Sequence, residues 1–233
     1  MKILVTRPLE DAERTAAELE PRGHEAVIAP LMDIRFRKGP EIVLDGVQAI
    51  LATSANGIRA LAGRSPRRDL PVFAVGPQSA EAARAAGYQN VKSADGDAMA
   101  LARAVSGWVR PEAGALFHAA GAQTKGGLAA RLSAAGFAVQ SETLYEAVPV
   151  PALPPDAAAA LAAENVDAVL LYSPHSARIF AGCVARAGLA ESCRGVTALC
   201  ISQTAADALA PLQFRAVRIA AHPDQDGLFA VLD

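Results

Sequence analysis

Six short segments of this chain share one chemistry. Each follows an apolar run, and each is built from small, hydroxyl or amide residues: Thr6-Arg7-Pro8, Thr53-Ser54-Ala55-Asn56, Gly76-Pro77-Gln78-Ser79, Ala120-Gly121-Ala122-Gln123-Thr124-Lys125, Ser173-Pro174-His175-Ser176 and Ser202-Gln203-Thr204. A turn of this composition between a strand and a helix offers unpaired backbone N–H groups, and anions bind there. Arg7 adds a cation, suited either to a ligand anion or to a surface ion pair, Lys125 another, and His175 a titratable ring. A neutral hydrogen bond contributes about 0.5–1.5 kcal/mol and one to a charged group about 1.5–3 kcal/mol. Several such bonds to several carboxylates reach the ~8 kcal/mol of micromolar binding without a basic patch. Ser, Thr, Asn and Gly are also ordinary caps and turn formers, which accounts for any single turn. Their recurrence at six strand ends points to a ligand with several carboxylates, with caps at every turn as the bland alternative.

Tyr145 is the side chain best suited to proton transfer. It ends an alternating segment, Val139 to Ala147, just before Pro149-Val150-Pro151. A phenol with a pKa near 10 stays protonated at neutral pH and can donate to a departing oxygen. A tyrosine at that place also serves as packing, and both readings stand. Other catalytic patterns are absent. Gly76 belongs to no G-x-G-x-x-G, and no Walker sequence occurs. Ser173 has no G-x-S-x-G around it. His24, His118, His175 and His222 are dispersed and share no metal-ligand spacing. Asp95 and Asp97 read as helix caps.

The elements that hold these turns follow from periodicity. Val47 to Arg59, VQAILATSANGIR, reappears as Val166 to Arg178, VDAVLLYSPHSAR. Each copy reads as a buried strand, a polar turn and a helix. The match continues with Val75-Gly76-Pro77-Gln78 against Ile201-Ser202-Gln203-Thr204, and with Asp97 against Asp226, each expected to cap a helix. The unit from Ile3 through a helix over 10–22 to Gly23 echoes the one from Ala115 through a helix over 125–135 to Gly136. A helix is also expected over 204–212.

Alternating strands and helices of this kind give parallel sheets covered on both faces. The expected fold is α/β: two similar, doubly wound, flavodoxin-like domains joined by a two-stranded β linker. The first domain is discontinuous, 1–35 plus 150–233, and the second, 40–146, is inserted into it. The crossings are expected at 36–39 and 147–149. Ligands of open parallel sheets bind beyond the C-terminal strand ends, where all six turns lie. Two such edges facing each other would form a hinged cleft.

Composition narrows the function. The chain has 233 residues, 52% hydrophobic and 20% charged, with a formal net charge of −2. That suits packed domains and argues against long disorder. No Lys/Arg block stands out, so nucleic acid is not an expected partner. No apolar run is long enough to span a bilayer, and the apolar run after Met1 is too short for a signal peptide. Cys183, Cys193 and Cys200 are odd in number without C-x-x-C spacing, as expected of reduced thiols. Together these features lead to a cytoplasmic expectation. Two functions remain open at this level: an enzyme acting on a polycarboxylate, and a non-enzymatic, hinged binder of a small anion.

The order of Val5-Thr6-Arg7-Pro8, Leu51 to Gly57, Ala74-Val75-Gly76, the Gly121 to Lys125 turn, Leu144-Tyr145, Tyr172-Ser173-Pro174 and Ile201 to Ala205 resembles the uroporphyrinogen-III synthase family over essentially the whole chain. The resemblance implies two α/β domains joined by a β ladder, with the active site between them. It implies hydroxymethylbilane as substrate, a linear tetrapyrrole with eight carboxylates. Its terminal hydroxyl leaves as water and the ring closes with the last pyrrole inverted, without metal or organic cofactor. It further implies a catalytic role for Tyr145 and a ligand-side position for Thr204. Ser202-Gln203-Thr204-Ala205 stands where the family frequently has Gly-Pro-x-Thr. The turn residues Arg7, Thr53, Ser54, Asn56, Gly76, Gly121, Lys125, Ser173, His175 and Thr204 become the candidate substrate contacts. The expected assembly is a monomer that could touch the upstream pathway enzyme.

Overall fold

The computed structural model describes residues 1–123 and 127–232. In chain order it begins with β1 (Lys2–Val5), α1 (Leu9–Leu19), β2 (Glu25–Ile28), β3 (Met32–Phe36), β4 (Val47–Ala52) and α2 (Ala55–Ala62). Then come β5 (Val72–Ala74), α3 (Pro77–Ala85), β6 (Val91–Ser93), α4 (Ala98–Trp108), β7 (Ala115–Gly121), α5 (Leu128–Ala134) and β8 (Val139–Pro149). The chain continues through α6 (Pro155–Ala162), β9 (Ala168–Leu171), α7 (Pro174–Arg186), β10 (Thr197–Cys200), α8 (Gln203–Asp207), β11 (Ala216–Ile219) and α9 (Gln225–Phe229).

The contacts divide the chain into two units, Met1–Asp33 with Val148–Asp233, and Ile34–Ala147. The first unit holds a sheet in the order β11-β10-β9-β1-β2, with every neighbouring pair parallel. The second sheet runs β3-β8-β7-β4-β5-β6, and from β8 to β6 its pairs are parallel. Numbered along its own chain, the first sheet has the flavodoxin-like order 2-1-3-4-5. The second, with β3 set aside, has the order 3-2-1-4-5 when its strands are taken from the repeated phrase onward in space. These are one arrangement entered at different strands: β9, β10 and β11 match β4, β5 and β6, while β1 and β2 match β7 and β8. The repeated phrase therefore falls on the same central strand and helix of each sheet.

Both faces of each sheet are buried, which is why the strands read as unbroken apolar runs. In the first unit, Leu4, Val169 and Leu171 pack with Leu161, Phe180 and Val184 on one side. Ile3, Val5, Leu170 and Leu199 pack with Leu19, Leu228 and Phe229 on the other. In the second, Ile50, Phe117 and Ala119 meet Ile58 and Leu61, while Leu51 and Leu116 meet Leu101, Val105 and Leu132.

β3 and β8 pair antiparallel, since Arg37 N–H donates to the Leu144 carbonyl and Val150 N–H to that of Leu31. The unit boundaries fall inside these two strands, at 33/34 and 147/148. The polar segment 36–39 lies past the first boundary, at the end of β3 and the start of the following loop.

Three local expectations are corrected or refined. The last helix is capped by Asp224, whose carboxylate accepts from Gly227 N–H, while Asp226 lies inside α9. Asp224 has the extended backbone a cap needs, with φ −134°. The helix expected over 204–212 closes as α8 at Asp207 and continues as tight turns, with Leu209 N–H bonded to Ala206 and Leu212 N–H to Leu209. Pro211 disfavours helical backbone at the residue before it. Gly23 does end the first helical segment in the left-handed region, at φ 79°.

Candidate functional site

Strand order reverses direction in the second sheet between β4 and β7. There α2 and α3 cover one face, and α4 and α5 the other. Such a switch point leaves a crevice at the C-terminal strand ends. A cavity of about 320 Å³ occupies it, lined by Thr53, Ala98, Gly121, Gln123, Leu128, Tyr145 and Ala147. Thr53 follows β4, Gly121 ends β7, and Tyr145 and Ala147 belong to β8. Ala98 opens α4 and Leu128 opens α5.

A register shift aims Tyr145. Along β7 and β8 the partners run from Leu116 and Val139 to Ala120 and Thr143, and then skip to Gly121 and Tyr145. The extra residue is Leu144. Strand side chains normally alternate faces, but a bulge breaks the alternation. Leu144 and Tyr145 consequently both pack toward the cluster of Ile50, Phe117 and Ala119. The Tyr145 ring crosses directly over Gly121. A Cβ on Gly121 would lie 2.6 Å from Tyr145 Cζ and 2.7 Å from its hydroxyl oxygen. Only a residue without a side chain leaves room for the phenol there. Beyond the bulge, Ala122 N–H donates to the Tyr145 carbonyl at 2.8 Å. The Gln123 side chain then acts as one more strand residue: Nε2 donates to the Ala147 carbonyl at 3.0 Å, and Oε1 accepts from Ala147 N–H at 3.2 Å. The backbone on both sides of Tyr145 is thus pinned. Among the described residues no hydrogen bond engages its hydroxyl.

Thr53 lies opposite, bonded through Oγ1 to His118 Nε2 at 3.1 Å. His118 is buried, and burial pushes its imidazole below the usual histidine range. At the start of α4, Asp97 accepts from Met99 and Ala100 N–H, and these bonds hold its carboxyl below the usual carboxylate range. Asp97 thereby fixes the helix end that presents Ala98.

The remaining expected contacts divide by unit. Ser54 caps α2 by accepting from Asn56 N–H, and Asn56 in turn accepts from Arg59. Gly76 precedes Pro77 at the start of α3 with extended backbone. These three lie at the C-terminal ends of β4 and β5 without lining the cavity. In the first unit, Arg7 is spoken for: one guanidinium nitrogen donates to Gln225 at 2.6 Å, another lies 3.7 Å from Asp11, and the group stacks 4.6 Å from the Tyr172 ring centre. Ser173 caps α7, accepting from Ser176 N–H, and His175 is exposed on its first turn. Thr204 is exposed beside Ser202, hydroxyl to hydroxyl at 3.0 Å. Lys125 lies outside the described residues. The site residues that sequence reasoning missed are Gln123 and His118. Gln123 stood in a quoted turn, and His118 was legible only as a polar residue inside the apolar run ALFHAAG.

Among the described residues no group of three His, Cys, Asp or Glu could hold a metal ion, and no helix is long and apolar enough to cross a membrane. All three cysteines are free and buried, and burial pushes the thiols of Cys193 and Cys200 up to about 11.

The family model described as uroporphyrinogen-III synthase HemD matches residues 13–230. The chain belongs to the uroporphyrinogen-III synthase family. Its members are enzymes of tetrapyrrole biosynthesis, lyase-type cyclases that act without a cofactor. Among solved structures, the uroporphyrinogen-III synthetase of Helicobacter pylori is similar with a TM-score of 0.65 at 15% identity, over 99% of this chain and 97% of that one. That likeness shows a shared fold. A mutant uroporphyrinogen III synthase from the extremely thermophilic bacterium Thermus thermophilus shares 19% identity over 100% of this chain and 96% of its own, with a TM-score of 0.49. No curated protein sequence matches the chain.

Proposed function

We propose that this synthase closes hydroxymethylbilane at the edge of the second sheet, with Tyr145 as the proton donor to the departing hydroxyl. The observation that carries the reading is the Tyr145 phenol laid over Gly121, pinned on both sides and open to a cavity. At about 320 Å³ the cavity is at the lower end of the roughly 300–1,000 Å³ of small-molecule sites. That size suits one end of a four-ring chain, the end that reacts.

The chemistry asks little of an acid. When the C–O bond of the terminal pyrrole-CH₂OH breaks, the ring nitrogen's electrons stabilise the cation that remains. The phenol proton joins the leaving oxygen to form water. The last pyrrole attacks through the ring carbon that already bears its methylene bridge. The bridge bond breaks and re-forms at the free α-carbon of the same ring, and that carbon sheds the proton that restores the phenol. The harder task is to hold a flexible chain so that closure inverts the last ring, and that is a problem of orientation. Donors at several strand-end turns address it. Thr53, Ser54, Asn56 and Gly76 are the proposed contacts there for acetate and propionate groups, and Ser173, His175 and Thr204 stand as separate candidates on the first unit. Buried, reduced thiols suit a cytoplasmic enzyme.

The test is to incubate the protein with enzymatically generated hydroxymethylbilane and separate the product isomers. Uroporphyrinogen III is expected. Exclusive formation of the non-inverted type I isomer, which arises without a catalyst, overturns the reading in favour of a binder.

A further inference from the structure

The chain uses a buried histidine where the cavity wall needs nothing ionisable. His118 sits mid-strand on β7, 3% exposed, between Phe117 and Ala119. Its register partner on β4 is Leu51, and Thr53 lies two residues further along, on the same face of the strand. The 3.1 Å contact from Nε2 to Thr53 Oγ1 is the hydrogen bond of the ring among the described residues. Burial favours the neutral imidazole, which carries a single N–H.

The place of that proton follows from which orphan costs less. Among the described residues no acceptor is bonded to Nδ1, so a proton there would have no partner in the protein, whereas a proton on Nε2 has Thr53 Oγ1. A proton on Nε2 leaves only a lone pair unmet, which is tolerated more often. The ring therefore donates to Thr53. A hydroxyl has one donor and two acceptor sites. Accepting from His118 uses one lone pair and leaves the hydroxyl hydrogen free. The β-branched Thr53 side chain is stiff at χ1, so that free hydrogen belongs to the cavity wall.

We propose that His118 is a positioning residue, whose Nε2–H turns the Thr53 hydroxyl into a hydrogen-bond donor for a carboxylate of the substrate. The proposal deepens the reading of the second-unit cavity as the reacting end of the site and rests on it. It explains why a polar side chain is kept among Leu116, Phe117 and Ala119.

Two measurements test it. ¹⁵N NMR of the labelled, full-length protein at neutral pH reads the tautomer directly. A protonated Nε2 with a bare Nδ1 is expected, and a proton on Nδ1 or on both nitrogens overturns the assignment. Steady-state kinetics on hydroxymethylbilane then compare His118→Leu and His118→Gln, each alone and combined with Thr53→Val. One hydrogen bond to a charged group corresponds to about a tenfold effect. His118→Leu is expected to raise KM by about that factor, with a smaller change in kcat. His118→Gln, with an amide N–H near the place of Nε2, should recover most of the loss. On the Thr53→Val background His118→Leu should add nothing. Multiplicative losses in the double variant, or no recovery by Gln in a well-folded protein, overturn the role. Should His118→Leu fail to fold, His118→Gln against Thr53→Val and the tautomer still decide. A wild-type chain that yields no type III isomer sinks the catalytic reading itself, whereas an active wild type with multiplicative variants sinks only the part given to His118.

Discussion

The two sheets reverse their strand order at matching places, and the two places are filled in opposite ways. In the first unit the reversal lies between β1 and β9. There Tyr172 follows the central strand, Arg7 stacks on its ring, and Gln225, Thr15 and Asp11 take up the guanidinium. In the second unit the reversal lies between β4 and β7, and Thr53 stands where the repeat puts Tyr172. The neighbouring strand ends in Gly121, and a cavity remains. The difference teaches that topology supplies a crevice twice, while side-chain size decides whether it becomes a packed corner or a site. A large aromatic and an arginine occupy one. A threonine and a glycine keep the other open and admit a tyrosine from the next strand.

The sharpest way to break this comparison is Tyr145→Phe. It keeps the ring over Gly121 and removes only the hydroxyl. General acid assistance is worth about 10²–10⁴-fold, and the low demand of this leaving group puts the expected loss of kcat near 10²-fold, with KM changed little. Single-turnover kinetics against binding of the bilane separate the two. Turnover near that of the wild type would remove Tyr145 from the chemistry and leave the second crevice a pocket without a catalyst.

Gly121→Ala asks whether the open crevice depends on that missing side chain. The added methyl would stand 2.6 Å from Tyr145 Cζ, so the ring must swing away. A misplacement of about 1 Å can cost up to about 10²-fold in rate. A drop of about tenfold in kcat/KM is expected, with a folded protein by circular dichroism. An unchanged rate would mean that the phenol works equally well from another rotamer.

How much of this could be read from residues alone follows the same division. The repeat VQAILATSAN and VDAVLLYSPH exposed the two central strands, because buried parallel strands must be apolar and the helix after each must be capped. It did not reveal that the second sheet enters the same arrangement at a different strand, since strand order is set by contacts distant in sequence. The polar turns were legible because Ser54, Ser173 and Ser202 cap helices, which is local chemistry. Local reasoning also misled: Asp226 fitted the repeat, yet Asp224 holds the cap, because the backbone turns two residues earlier. The bulge at Leu144 was hidden, since alternation in a strand says nothing of a skipped partner. His118 was hidden because its value lies in Thr53, a neighbour across the sheet.

Arg7→Met sharpens the first half of the comparison. If the first crevice is a packed corner, the variant loses the bond to Gln225 and the stacking on Tyr172, and takes the guanidinium away from Asp11. Losing a charged hydrogen bond costs about 1.5–3 kcal/mol and the stacking about 0.5–1 kcal/mol. At about 2–4 °C per kcal/mol for a chain of this size, the melting midpoint should fall by roughly 5–10 °C. KM for the bilane should rise less than about threefold, the scale of 0.6 kcal/mol. A raised KM at an unchanged melting midpoint would return Arg7 to the substrate and make the two crevices alike after all.

The smallest effect is a pH dependence that belongs to the open crevice alone. Burial lowers the pKa of His118 from the ordinary 6.5, so the folded chain holds this ring neutral at pH values where the unfolded chain protonates it. Stability rises with pH wherever the unfolded state binds more protons. The contribution of His118 is therefore fully present above pH 6.5 and is lost progressively as pH falls below it, levelling off beneath the folded value. Urea midpoints measured from neutral pH down toward about pH 5, within the range where histidines titrate, should slope downward in the wild type and less steeply in His118→Gln. If His118→Gln keeps the wild-type slope, the ring at the cavity wall is not held neutral by its surroundings, and the contrast between the Arg7–Tyr172 corner and the built site loses its electrostatic half.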